Sequence, residues 1–235
     1  MNRNGFLVTT ATLVAAGSAP AMALPVPGGT NFVERKANFD EVAFAAAVGR
    51  PAEIRQIFEQ VAFNPTLLNN VKNSLNGLVF GFGYAPESVT IAIGGHGPSS
   101  AYGFSDYVWE KYKIGAFINA KDASGSPITS NVFLKAKAPN DPAANPDDPK
   151  GMYQDTQIET LQRRGVLMLT CHTAVEEQAR KLVSQGLAPS GMTATDVASD
   201  ILTHLIPGSI VVPSMVAAVA VLQHKYNYTY AALTF

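Results

Sequence analysis

The sequence predicts an α/β fold, with a mainly parallel sheet of about five strands and helices on both faces. Three observations carry this. Short β-rich runs alternate along the chain with segments of helical spacing, the rhythm of strand–crossover–strand units. Several of those runs are apolar throughout, as strands buried on both faces must be. Hydrophobic residues make up 47% of the chain and charged residues only 15%, which excludes a disordered polymer.

At 235 residues, the chain is long enough for one domain with a good core once an export signal and a long loop are set aside. The formal net charge is −1 and no long basic run occurs, so nucleic acid is not expected as a partner. The single cysteine excludes an intrachain disulfide and a cysteine-rich zinc site.

Residues 1–23 read as a signal peptide: Arg3, a mostly apolar run over 6–17, and Ala21-Met22-Ala23 as the small-x-small cleavage pattern. Asn2 and Asn4 flank Arg3, so the twin-arginine pattern is missing and the general secretory route is expected. Cleavage after Ala23 removes one base and no acid, taking the formal charge from −1 to −2. The competing reading is a retained amino-terminal anchor. No later apolar segment is long enough to span a bilayer. The expectation is a periplasmic or secreted protein, free of the membrane after cleavage, with a single domain over 24–235.

The Pro/Gly-rich stretch 24–30 reads as an extended arm. A helix is expected over 39–48, stopped by Gly49-Arg50-Pro51. Residues 54–63 alternate like a strand. Leu67, Leu68, Val71, Leu75, Leu78, Val79 and Phe82 then recur at spacings of three and four, the strongest helical pattern in the chain. Val89 to Ile93 is a second strand, ending in Gly94-Gly95-His96-Gly97-Pro98, and an aromatic-rich helix is expected over 102–112. Residues 114–118 fit either a short strand or the end of that helix.

The loop over about 119–152 reads as a solvated insertion. Pro139, Pro142, Pro146 and Pro149 exclude a regular element. Asp141, Asn145, Asp147 and Asp148 do not match a calcium-loop spacing. Helical spacing resumes over 153–164. Val166 to Leu169 is a third strand, and a helix follows, with Thr173 and Glu176 placed for a capping box. A helix over 195–205, a strand at Ser209 to Val212, a helix opened by Pro213 and a Tyr-rich edge strand over 226–230 complete the pattern.

The sharpest chemical feature is Cys171 followed by His172, where a strand meets a helix. Ligands bind at the carboxyl edge in open α/β sheets, and a helix amino terminus lowers a thiol's pKa. His96 is expected on the same edge. Cys171, His172 and His96 are therefore the candidate catalytic residues. Gly95 and Gly97 supply only part of a nucleotide-binding glycine pattern, and no cofactor is expected. His204 and His224 read as surface or capping residues.

Four stretches, taken in order, resemble the DsrE/DsrF-like proteins of sulfur metabolism. They are Leu68-Asn-Asn-Val-Lys-Asn73, the strand ending His96-Gly97-Pro98, the Gly165-to-Cys171 strand, and Pro207-Gly-Ser-Ile-Val-Val-Pro213 with the Tyr-rich tail. The likeness spans roughly residues 54–230 and points to an exported member with a long insertion. It implies a three-layer flavodoxin-like fold and a homo-oligomer, trimer or hexamer. It also implies a cysteine that carries sulfur as a persulfide to and from donor or acceptor proteins, with Cys171 in that position.

The functional expectation is thus a sulfur carrier or thiol-dependent binding protein acting through Cys171, rather than a conventional enzyme. Two alternatives stand beside it. One is a non-catalytic oligomeric binding module in which Cys171 is a buried structural residue. The other is a soft-metal or haem site using Cys171 with a histidine.

Overall fold

A computed structural model describes residues 39–232. The expected signal peptide, its cleavage site and the arm that follows lie outside the described residues. The elements, in order, are α1 (Glu41–Val48), β1 (Ile54–Gln60), α2 (Thr66–Asn76), β2 (Val89–Gly95), α3 (Asp106–Lys111), α4 (Ile114–Phe117) and α5 (Ile158–Arg163). They continue with β3 (Leu167–Cys171), α6 (His172–Ser184), α7 (Ala194–Thr203), β4 (Ser209–Val212), α8 (Met215–Tyr226) and β5 (Thr229–Ala232).

The five strands pair in parallel in the order β4-β3-β2-β1-β5. From β1 to β4 each crossover steps the same way, and the last one returns past β1 to set β5 on its other side. Right-handed crossovers then put α2 and α5 on one face and α8, with α1 beside it, on the opposite face. The cores follow this division. Phe58, Ile91, Ile93 and Met168 pack against Leu67, Leu68 and Val71 of α2 and Ile158 and Leu161 of α5. Ile57, Ala92, Leu169 and Val212 pack under Phe44 and Val48 of α1 and Met215 and Leu222 of α8. A third cluster joins Trp109, Tyr112 and Ile114 to Val175, Leu182, Val197 and Ile201. The result is an α/β, three-layer, flavodoxin-like arrangement.

Several boundaries differ from the sequence reading, each for a local reason. The α2 pattern passes at Gly77 into a wider π turn, Gly77–Gly81, so Phe80 and Phe82 face outward. The expected helix over 102–112 is instead a 3₁₀ segment, Gly97–Gly103, then extended Phe104, then α3. Phe104 leaves the helical region because it bridges to Leu205. Residues 114–118 resolve as the short helix α4. Cys171, not Thr173, is the N-cap of α6, because the Thr173 hydroxyl donates to the Pro213 carbonyl at 2.9 Å. Pro213 stays outside α8, whose N-cap is Ser214. Tyr226 belongs to α8, and left-handed Asn227 (φ 57°) ends that helix before β5.

The insertion holds no helix or strand over 121–149, as its prolines require. It is not a wholly solvated loop, however. Asn131, Leu134, Ala138 and Met152 are buried, and Asn131 donates to the carbonyls of Tyr102 and Phe104. Residues 139–143 and 147–150, at its tip, are exposed. Among the described residues, no helix is long and apolar enough to cross a membrane.

Candidate functional site

Strand register decides which side chains share a face. Parallel partners point the same way, so Ile57, Ala92, Leu169 and Cys171 all enter the core beneath α1 and α8. The sulfur of Cys171 lies where two helices begin. Its Sγ accepts the Ala174 amide of α6 at 3.4 Å and the Met215 amide of α8 at 3.3 Å. The thiol thus stands in for an oxygen as N-cap of α6 and also takes the first amide of α8, whose own N-cap, Ser214, makes no side-chain cap.

Cys171 is only 4% exposed. Burial pushes its pKa up, and the amides of Ala174 and Met215 offset only part of that rise. The sequence led us to expect a thiol lowered by the helix end. Desolvation outweighs that contribution, because a helix terminus supplies only about 0.3–2 kcal/mol.

His172 is also buried, and its Nδ1 lies 3.7 Å from Glu176 Oε1, one turn along α6. Glu176 therefore serves a buried partner instead of the capping box expected of it. Gln178, two residues on, donates to the Gly97 carbonyl and ties α6 to the turn that carries His96.

His96 joins a different group. Its Nε2 sits 2.9 Å from Glu59 Oε1, an ion-pair distance without hydrogen-bond alignment. The other oxygen, Glu59 Oε2, accepts the Tyr230 hydroxyl at 2.7 Å. That hydrogen bond, with some burial, raises the Tyr230 phenol above its ordinary pKa. Glu59 lies near the carboxyl end of β1, Tyr230 is on β5, and His96 follows β2. The strand order reverses between β1 and β5, so the three residues stand at the topological switch point, where open α/β sheets receive ligands.

Met215 separates the two groups. Gly94 is in register with Glu59 on one side and Leu169 on the other. A Cβ on Gly94 would lie 2.6 Å from Met215 Sδ, so the thioether rests on the bare backbone there. His96 and Cys171 consequently share an edge but no hydrogen bond. Among the described residues, no three His, Cys, Asp or Glu side chains are grouped to hold a metal.

The sequence reading missed Glu59 and Tyr230. Glu59 carried a usable signal, being a carboxylate near the carboxyl end of a recognised strand. Tyr230 carried none, since only the β1–β5 pairing brings it there. Comparison with protein-family models, curated proteins and solved structures finds no match to this chain.

Proposed function

We propose that this protein is a non-catalytic, oligomeric binding protein in which Cys171 is structural and ligand is met at the His96–Glu59–Tyr230 edge. The observation that carries this reading is the seal on the thiol: buried, raised in pKa and holding the first-turn amides of two helices. The polar groups at the switch point are the more accessible ones, with Tyr230 43% exposed.

Alkylation of Cys171 by iodoacetamide in the folded protein is expected to be at least 100-fold slower than in denaturant. Intact mass should show no added sulfur after polysulfide treatment. Rapid alkylation with sulfur loading that disappears in Cys171→Ser would sink this reading. It would favour instead a persulfide carrier, the role implied by the likeness to DsrE/DsrF-like proteins. One observation favours that second reading: the two amides at Sγ are placed to stabilise a thiolate or persulfide once the sulfur is uncovered.

Self-association is proposed through the outer surface of α1 and α8. Both helices are apolar nearly all round, which normally means burial on both sides. Their inner sides fill the core, yet Val42 is 80% and Val216 67% exposed. Glu41 and Lys225 flank a cavity of about 190 Å³ on this face, giving copies opposite charges to pair across a shared interface. Sedimentation of the wild type should show a multimer, with Val42→Glu/Val216→Glu sedimenting as a folded monomer. A monomeric wild type at tens of micromolar, on the order of common working concentrations, contradicts the assignment.

A further inference from the structure

A second cavity lies at the opposite, amino edge of the sheet, between the end of α2, the insertion and the end of α5. Arg164 follows α5 and precedes β3, and it lines a cavity of about 260 Å³. Arg163 and Asn140 also line it, and Leu75, Val79 and Met152 supply apolar surface.

The guanidinium of Arg164 is held firmly but not neutralised. Nη2 donates to Asn76 Oδ1 at 2.6 Å, and the group lies 5.1 Å from the centre of the Tyr153 ring. Its Nη1 is buried without a hydrogen-bond partner. No carboxylate forms an ion pair with it among the described residues. Burial pushes the pKa down to about 10, which leaves the group charged at neutral pH. Arg164 is half-buried, and a partly desolvated cation without a counter-charge is less stable than one that meets an anion.

The cavity is held in shape from both sides. Asn76 Nδ2 donates to the Tyr153 carbonyl at 2.8 Å while its oxygen takes Arg164, so one amide fixes α2, the insertion and the arginine together. The Tyr153 hydroxyl donates to the Pro142 carbonyl at 2.8 Å, closing the insertion over the site. The positive charge that Arg164 and the neighbouring Arg163 bring to the cavity lining suits a carboxylate. The apolar lining suits a short hydrocarbon chain, and the volume is below that of pockets for drug-sized ligands, about 300–1,000 Å³.

We propose that this cavity binds a small organic carboxylate, with its charge on Arg164 and Arg163 and its chain over Leu75, Val79 and Met152. The site is independent of the His96–Glu59–Tyr230 edge and of the state of Cys171. Its test is calorimetric titration of the full chain with hexanoate, 1-hexanol and inorganic phosphate. Hexanoate should bind saturably at one site per chain, and both other probes at least tenfold more weakly. Arg164→Met should weaken hexanoate binding at least tenfold, while the unliganded variant melts no lower than wild type because an uncompensated charge has gone. Arg163→Gln, at the cavity rim, reads the same affinity should Arg164→Met fail to fold. Equal hexanoate binding in wild type and Arg163→Gln, or no saturable binding, overturns the proposal. Phosphate binding as tightly as hexanoate overturns the organic half of it.

Discussion

Asp155→Ala is expected to destabilise the protein by about 3–5 kcal/mol, because it strips the acceptor from several buried donors together. The Asp155 carboxylate accepts the amides of Lys137 at 2.8 Å, Ala138 at 3.2 Å and Gln157 at 3.1 Å, and the Thr160 hydroxyl at 2.6 Å. It thereby fastens the insertion to the start of α5. The thermal midpoint should fall by roughly 10 °C, and hydrogen exchange at the Lys137 and Ala138 amides should accelerate. Asp155→Asn should cost less, since its one oxygen can still serve the three donors gathered at Oδ2.

The pH dependence has a definite sign. Burial alone would raise the Asp155 pKa, but the Thr160 hydroxyl and the three amides outweigh it and hold the carboxyl below its ordinary value. The stability it contributes is therefore complete above the unfolded value, about 3.9, and is lost as pH falls through the folded one. Urea melts at pH 7 and pH 3 should show the Asp155→Ala deficit shrinking in acid. A deficit below about 1 kcal/mol at pH 7, less than one net buried hydrogen bond can be worth, would show that the insertion is held by other contacts.

Gly115→Ala should cost about 3 kcal/mol or more, through overpacking. A Cβ there would lie 2.0 Å from the Ile128 carbonyl oxygen and 2.8 Å from that residue's carbonyl carbon and nitrogen. All are backbone atoms, so no side-chain rotation relieves the clash. Ile128 cannot retreat freely, since its amide donates to Ala120 and the Ala120 amide donates to Gly115. Gly77→Ala is the matched control: its φ is −60° and a Cβ meets nothing within 4 Å. That substitution should be neutral or stabilising by up to about 1 kcal/mol. Equal urea midpoints for the two variants would contradict this account of how the insertion's first turn seats on α4.

The sheet was legible because its strands carry their own signature. Val89 to Ile93, Val166 to Leu169 and Ser209 to Val212 are apolar runs bounded by turn residues, and each is the larger part of a strand. The α2 face was legible because four of its apolar residues, Leu67, Leu68, Val71 and Leu75, are buried together. What could not be read depends on partners distant in sequence. Asn131, Asp155 and Gln157 look like loop polarity, and only their buried acceptors and donors reveal them as part of the interior. Thr173 has the composition of a cap, but the Pro213 carbonyl, forty residues on, claims its hydroxyl. The Cys171 position was correctly placed between strand and helix, whereas its protonation balance turns on depth of burial, which spacing does not encode. Arg164 stood out in no sequence pattern, because what sets it apart is that no described carboxylate pairs with it.

The position of β5 has a consequence for how the molecule assembles. Strands β1 to β4 can add in the order of the chain, each beside the one before. The β1–β5 pairing joins Gln56 to Thr229 and is the longest loop closure in the sheet. Contacts of such high sequence separation form late, because the closure entropy must be met before pairing offsets it. Until then β1 is an open edge with unpaired amides and carbonyls, where the β5 segment of another chain competes with its own. The productive and the domain-swapped products therefore diverge at the same final step, and chain concentration during refolding selects between them.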